Sequence, residues 1–193
     1  MQLPREMKEL KLVMRFLIAP ASSWEAELHE ARKPAVHENS WFYPSLAVVA
    51  LTSFVQMFWG ASLTAALVRA IAQFCAFFFG YMACPMILSV LIKSLGSPKA
   101  KEVKESSLKI FVMFVYSMGL IVALLQNVLP APLIPLYIFL AYVLVILSRC
   151  AHLFGAESDW GKLKFVFGAF CILLIVPLAI LLIITYFIPE EAL

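Results

Sequence analysis

Five polar residues, Gln56, Arg69, Gln73, Gln126 and Asn127, interrupt or border long apolar stretches of this 193-residue chain. They are the side chains best able to gather a ligand. Four amides and one guanidinium supply hydrogen-bond donors, acceptors and one fixed positive charge, a set that suits an anion such as a phosphate or carboxylate. Residues for chemistry beyond binding are scarce. Cys75, Cys84, Cys150 and Cys171 show no C-x-x-C spacing, which argues against a disulfide framework or a zinc site. His29 and His37 are each followed by glutamate, but they are not the i, i+4 pair of a metalloprotease helix, so no metal is expected. P-loop, nucleophile elbow and Gly-rich dinucleotide motifs are all missing, so neither an enzyme nor a cofactor is expected.

The elements that must carry these residues follow from hydropathy. The chain is 63% hydrophobic and 14% charged, where a soluble domain is about half apolar and a quarter charged. Its net charge of +3 is too slight to indicate nucleic acid. Five apolar runs, at about 42–60, 70–91, 110–129, 133–148 and 165–188, each suit a membrane helix of about 20 residues. The expected fold is an all-α integral membrane protein: five transmembrane helices in 42–193, preceded by a short cytoplasmic segment, 1–41. No cleavable signal is expected, because a long mixed-charge stretch precedes the first apolar run. In that stretch Met7, Leu10, Val13, Met14, Leu17 and Ile18 share one helical face, and Arg5, Lys8, Lys11 and Arg15 the other. Such a helix lies in the lipid interface against anionic headgroups, or packs on the cytoplasmic ends of the spans.

Of the 15 basic residues only Arg69 falls in a loop that five crossings place opposite the rest. The positive-inside rule then puts the N-terminus in the cytoplasm and the C-terminus outside. Trp41 and Trp59 bracket the first run as interfacial aromatics. The same topology brings Gln56, Arg69, Gln73, Gln126 and Asn127 to the outer half of the membrane. There they line an outward-facing polar pocket, or Arg69 snorkels to the headgroups, near Glu190 and Glu191, while the amides cap helices. No Asp or Glu falls inside the five runs, which weakens ion-coupled transport.

Packing signals are clearest in the second run, where Ala72, Ala76, Gly80 and Cys84 recur every four residues, and Gly119 with Ala123 repeats the spacing in the third. Small ridges of this kind let helices approach closely, within one chain or between two copies. Pro85 and Pro177 kink the second and fifth runs and free the carbonyls of Tyr81 and Leu173.

The stretch FLIAPASSW from Phe16 to Trp24, the WFYPSL opening of the first run, the five-run layout and AYVLVILSRCAHLFGA at the end of the fourth resemble bacterial members of the Yip family. The resemblance covers roughly 16–188. It implies a five-span membrane protein whose eukaryotic relatives serve the early secretory pathway and meet Rab GTPases through a cytoplasmic N-terminal region. The DLYGP motif of that eukaryotic branch is missing here. On this basis a non-enzymatic scaffold or adaptor in a bacterial cytoplasmic membrane is expected, with lipids and a cytoplasmic protein as partners. A small transporter or channel using the outer polar residues is the alternative.

Overall fold

The computed structural model describes Arg15, Ile18, Ser22 and residues 37–129 and 133–187. Among these there is no strand. Helix α1 is Tyr43–Thr52, entered through a π-helical turn, Glu38–Phe42, and left through a 3-10 stretch, Ser53–Trp59. Then come α2, Leu63–Lys93, the short α3, Pro98–Glu102, and α4, Glu105–Val128. The last two are α5, Leu133–Cys150, with a 3-10 turn at Ala151–Phe154, and α6, Asp159–Tyr186. Serine side chains start three of these helices: Ser62, Ser97 and Ser158 accept hydrogen bonds from the backbone N–H of Ala65, Ala100 and Gly161 at 3.0, 3.1 and 3.0 Å.

Four helical stretches among the described residues are long and apolar enough to cross a membrane: Glu38–Trp59, Leu63–Lys93, Glu105–Val128 and Asp159–Tyr186. The fourth expected run falls on α5, whose described apolar part, Ile138–Phe154, is shorter. The first run starts earlier than its hydropathy indicates. Its helix already includes Glu38, so an acidic residue does belong to a membrane-length helix, which corrects the expectation drawn from the runs. Trp41 is corrected too. It turns into the bundle and donates to Ser117 at 3.2 Å. Trp59, by contrast, is exposed.

Helix α4 is the axis of the bundle. Ten consecutive residues, Phe111 to Leu120, are all buried, with α1, α2 and α5 packed around them and α6 lying along α2. Contacts of Trp41 with Ser117 and of Val49 with Asn127 show that α1 and α4 run parallel. Contacts of Cys84 with Ile172 and of Leu91 with Gly168 show that α2 and α6 run antiparallel. Ala72, Ala76, Gly80 and Cys84 are buried, and a Cβ built on Gly80 would sit 2.9 Å from the Tyr116 hydroxyl. A Cβ on Gly168 would likewise meet Leu91 at 2.9 Å. Phe74 and Phe79 are exposed on the outside of α2.

At the end of the bundle where α2 stops, the α5–α6 turn rests on α3. Gly155 has φ 81°, and a Cβ there would lie 2.7 Å from the Ala100 backbone nitrogen, so a side chain is excluded twice over. Lys99 and Glu157 pair across this junction at 2.8 Å. The hydrogen bond from Lys99 holds the Glu157 carboxyl below its ordinary range. The pair's contribution is therefore present at neutral pH and is lost as pH falls through the lowered value. Both groups are exposed, so salt screens it. Lys93, Lys99, Lys101, Lys104 and Lys109 gather at this end, and Arg69 stands at the other. Arg15 is helical and exposed; Arg5, Lys8, Lys11, Glu190 and Glu191 lie outside the described residues.

The close approach at Gly80 sets an expected outcome. Gly80→Leu forces methylenes into the Tyr116 ring and should lower stability by about 1–3 kcal/mol, whereas Phe79→Leu, on the exposed side, should change it by less than about 0.5 kcal/mol. Thermal unfolding in detergent compares the two; equal losses would mean that the small-residue ridge is not a packed contact.

Candidate functional site

The outer polar residues meet because α1 changes its winding. At Ser53 the backbone N–H bonds Ala50 and Leu51 instead of Val49 four residues back. The released Val49 carbonyl is taken by the Asn127 amide at 3.1 Å and by the Thr52 hydroxyl at 2.6 Å. Three residues per turn then align Ser53 with Gln56 on one edge of the 3-10 stretch, facing α2 and α4. Ser53 donates to Gln73 Oε1 at 3.0 Å. Gln56 donates to the Gln126 carbonyl at 3.4 Å, one of the last-turn carbonyls of α4 that no helical N–H reaches. Gln73 and Asn127 pair their amides reciprocally, at 3.0 and 2.9 Å.

These residues form a closed knot. Asn127 and Ser53 are completely buried, and the amides spend their donors on one another and on backbone carbonyls. Arg69 is exposed at the rim and donates to Gln56 Oε1. The structure thus gathers all five expected residues, but four of them join through their side chains as a bonded cluster and Gln126 joins through its backbone carbonyl. Space lies deeper: a cavity of about 280 Å³ between α2, α4, α5 and α6, with Gln73 and Gln126 at one end and Tyr116 in its wall. Gly119 keeps this space, since a Cβ there would lie 3.0 Å from Phe77 and 3.5 Å from Phe139. Ala123 and Pro177 also line it.

A second polar node spans the middle of the bundle. Pro177 leaves the Leu173 carbonyl without its helical donor, and the Tyr116 hydroxyl points at that oxygen from 3.5 Å. Cys84, next to Pro85 in α2, touches the Tyr116 hydroxyl at 3.0 Å and the Ile172 carbonyl at 3.6 Å. The four cysteines are free thiols, and no cluster of potential metal ligands occurs among the described residues.

Sequence reasoning missed the third group. Glu38, in the π turn, accepts a hydrogen bond from the Tyr81 hydroxyl, and Tyr81 is fully buried. Tyr81 lies more than three turns in from Lys93, about 18 Å along the axis of α2 at the helical rise. The carboxyl group therefore sits well within the length of the bundle, beside buried His37, whose ring faces Phe114 at 6.1 Å between centroids. The polar run His37-Glu38-Asn39-Ser40 looks like a link in a hydropathy scan. Only its continuity with the helix betrays its depth.

No protein-family model, curated protein or solved structure matches this chain.

The amide pair gives a direct test of the knot. Asn127→Leu leaves the Gln73 amide without its partner and the Val49 carbonyl with the Thr52 hydroxyl alone, and should cost about 1–3 kcal/mol. Adding Gln73→Leu should recover part of that loss, with a coupling energy of about 0.5–3 kcal/mol in a double-mutant cycle. Strict additivity would show that the two amides do not act as a pair.

Proposed function

We propose that the chain is a non-enzymatic membrane scaffold or adaptor of the Yip type, with five crossings, the N-terminus in the cytoplasm and the C-terminus outside. The observation that carries this reading is the bonded outer cluster: Gln73 and Asn127 pair with each other, Asn127 also serves the Val49 carbonyl, and Gln56 is held by Arg69 and the Gln126 carbonyl, which leaves a transported solute little of the polar surface these side chains offer. A bundle closed in this way acts through its exterior and its N-terminal segment. The collection of lysines at the α3 end and the lone Arg69 at the other support the orientation. Gly119 lies near Phe139 and Phe111 stacks edge-on with Phe154, so α5 runs antiparallel to α4, which supports a fifth crossing by α5. Residues 1–36 are then the contact for anionic lipid and for a cytoplasmic protein, and a bacterial cytoplasmic membrane is the matching location.

One observation favours transport as a second reading. An ionisable group at membrane depth usually marks an ion or proton path, and Glu38 with Tyr81 is such a group.

Proton flux in proteoliposomes under an imposed pH gradient separates the two. A scaffold gives the leak of empty liposomes, in the unchanged chain and in Glu38→Gln alike. Flux well above that leak, abolished by Glu38→Gln, would replace the scaffold reading with the transport one.

A further inference from the structure

Helices α2, α4, α5 and α6 pack in a ring, each against the next, and toward the Arg69 end the ring does not close at its centre. The space left there is the cavity of about 280 Å³ bordered by Gln73 and Gln126. Native interiors hold few voids larger than a water molecule, so a space of this size calls for an occupant.

Its depth follows from the helical rise. Gln73 stands about 30 Å along α2 from Lys93, which is the thickness of a bilayer's hydrocarbon core. With Lys93 at one boundary, Gln73 lies at the other, and its hydrogen bond with Asn127 puts the adjacent Gln126 at the same level. Tyr116 is about 15 Å deeper along α4, near the middle of the hydrocarbon. There its hydroxyl reaches across to the Leu173 carbonyl and bounds the inner end of the cavity. The cavity thus covers one half of the hydrocarbon, with both amides at the membrane boundary and Phe139, Leu140, Val143 and Leu174 along the deeper walls.

The polar groups are not equally engaged. Gln73 is bonded to Asn127 and Ser53, and the Tyr116 hydroxyl to Cys84 and Leu173. Gln126 joins the outer cluster through its backbone carbonyl, and its side-chain amide has no hydrogen-bond partner among the described residues. A buried water needs two to four polar partners, which one amide does not supply. The occupant must therefore be apolar over about 15 Å and carry a hydrogen-bond acceptor at the end that meets Gln126. An acyl chain hanging from its glycerol ester meets both demands in the orientation a membrane lipid already has. The volume falls just below the range of about 300–1,000 Å³ that encloses a whole ligand, and so suits one chain rather than two. Arg69, one turn beyond Gln73 on the same side of α2, stands about 6 Å farther out, at the depth of lipid phosphates.

We propose that the cavity between α2, α4, α5 and α6 holds one acyl chain of a phospholipid from the leaflet at the Arg69 end, with the ester carbonyl at the Gln126 amide. The second chain stays in the bilayer. The site requires only that the bundle spans a membrane, so it stands with a scaffold and with a transporter alike.

The full chain, delipidated in detergent, is given dioleoyl phosphatidylglycerol carrying a diazirine at the middle of one chain, irradiated, and its labelled residues are mapped by peptide mass spectrometry. Label should fall on the deeper walls, at Leu140, Val143 or Leu174. Leu140→Trp fills the cavity and should lower that labelling about ten-fold or more, while Ile138→Trp, on the exposed side of α5 and outside the lining, should leave it unchanged. In native mass spectrometry Gln126→Leu should weaken retention of dioleoyl phosphatidylglycerol about three-fold or more and leave retention of octadecene as it is. Thermal unfolding without lipid checks that Leu140→Trp is folded; if it is not, Gln126→Leu decides alone, since its side chain bonds nothing in the described bundle. Label confined to outward residues such as Ile138 and Ile175, labelling unchanged in a folded Leu140→Trp, or phospholipid retention unchanged in Gln126→Leu would each overturn the proposal.

Discussion

Hydrocarbon offers no hydrogen bonds, so every backbone carbonyl released by an irregular helix must find a donor inside the protein. That constraint organises this bundle around α4. The 3-10 switch in α1 releases the Val49 carbonyl, and Asn127 of α4 takes it. Pro177 in α6 releases the Leu173 carbonyl, and Tyr116 of α4 reaches it. The debt runs the other way as well, because Gln56 on the 3-10 stretch donates to the end of α4 at Gln126. A central helix that is buried almost throughout can serve neighbours on several sides at once, which a peripheral helix cannot.

This arrangement explains why the polar residues of the outer half are quiet. Their types and depth resemble those of a binding pocket, but the broken helix beside them has the first claim on their donors. Arg69, at the rim, keeps its charge in contact with the surroundings while one N–H reaches Gln56. What remains open is lined mostly by apolar side chains with a few polar ones: the cavity held by Gly119, bordered by Gln73 and Gln126, and the groove beside Trp41, bordered by Asn39, Ser40 and Ser45. Glu38 stands apart as the one acidic side chain engaged with the bundle's middle among the described residues.

Much of this was legible in the amino-acid sequence, and the parts that were not share a cause. Apolar runs locate α2, α4 and α6 because side-chain transfer energies add along a helix. The four-residue spacing of Ala72, Ala76, Gly80 and Cys84 identifies a buried face for the same local reason. The start of the first helix escaped, since Glu38, Asn39 and Ser40 count against a membrane helix until their partners are known. Tyr81 is 43 residues away from Glu38, and Ser117 is 76 from Trp41. The 3-10 switch escaped for a like reason: it depends on Asn127, far along the chain, accepting the role of donor to Val49. Thr52, Ser53 and Ser117 were overlooked as small hydroxyls, although Ser53 and Gln56 at i, i+3 already carried the spacing that a 3-10 turn aligns.

The central claim is that α4 side chains stand in for missing helical hydrogen bonds, and it is tested most directly by restoring one such bond. With Pro177→Ala the residue at 177 regains an N–H that bonds the Leu173 carbonyl, and the Tyr116 hydroxyl loses that task. Denaturation in detergent should then show Tyr116→Phe costing about 1–3 kcal/mol in the parent chain and less, by about 0.5 kcal/mol or more, when Pro177→Ala is present. An equal cost in both backgrounds would contradict the account, because the hydroxyl would then be serving something other than the carbonyl that the proline leaves open.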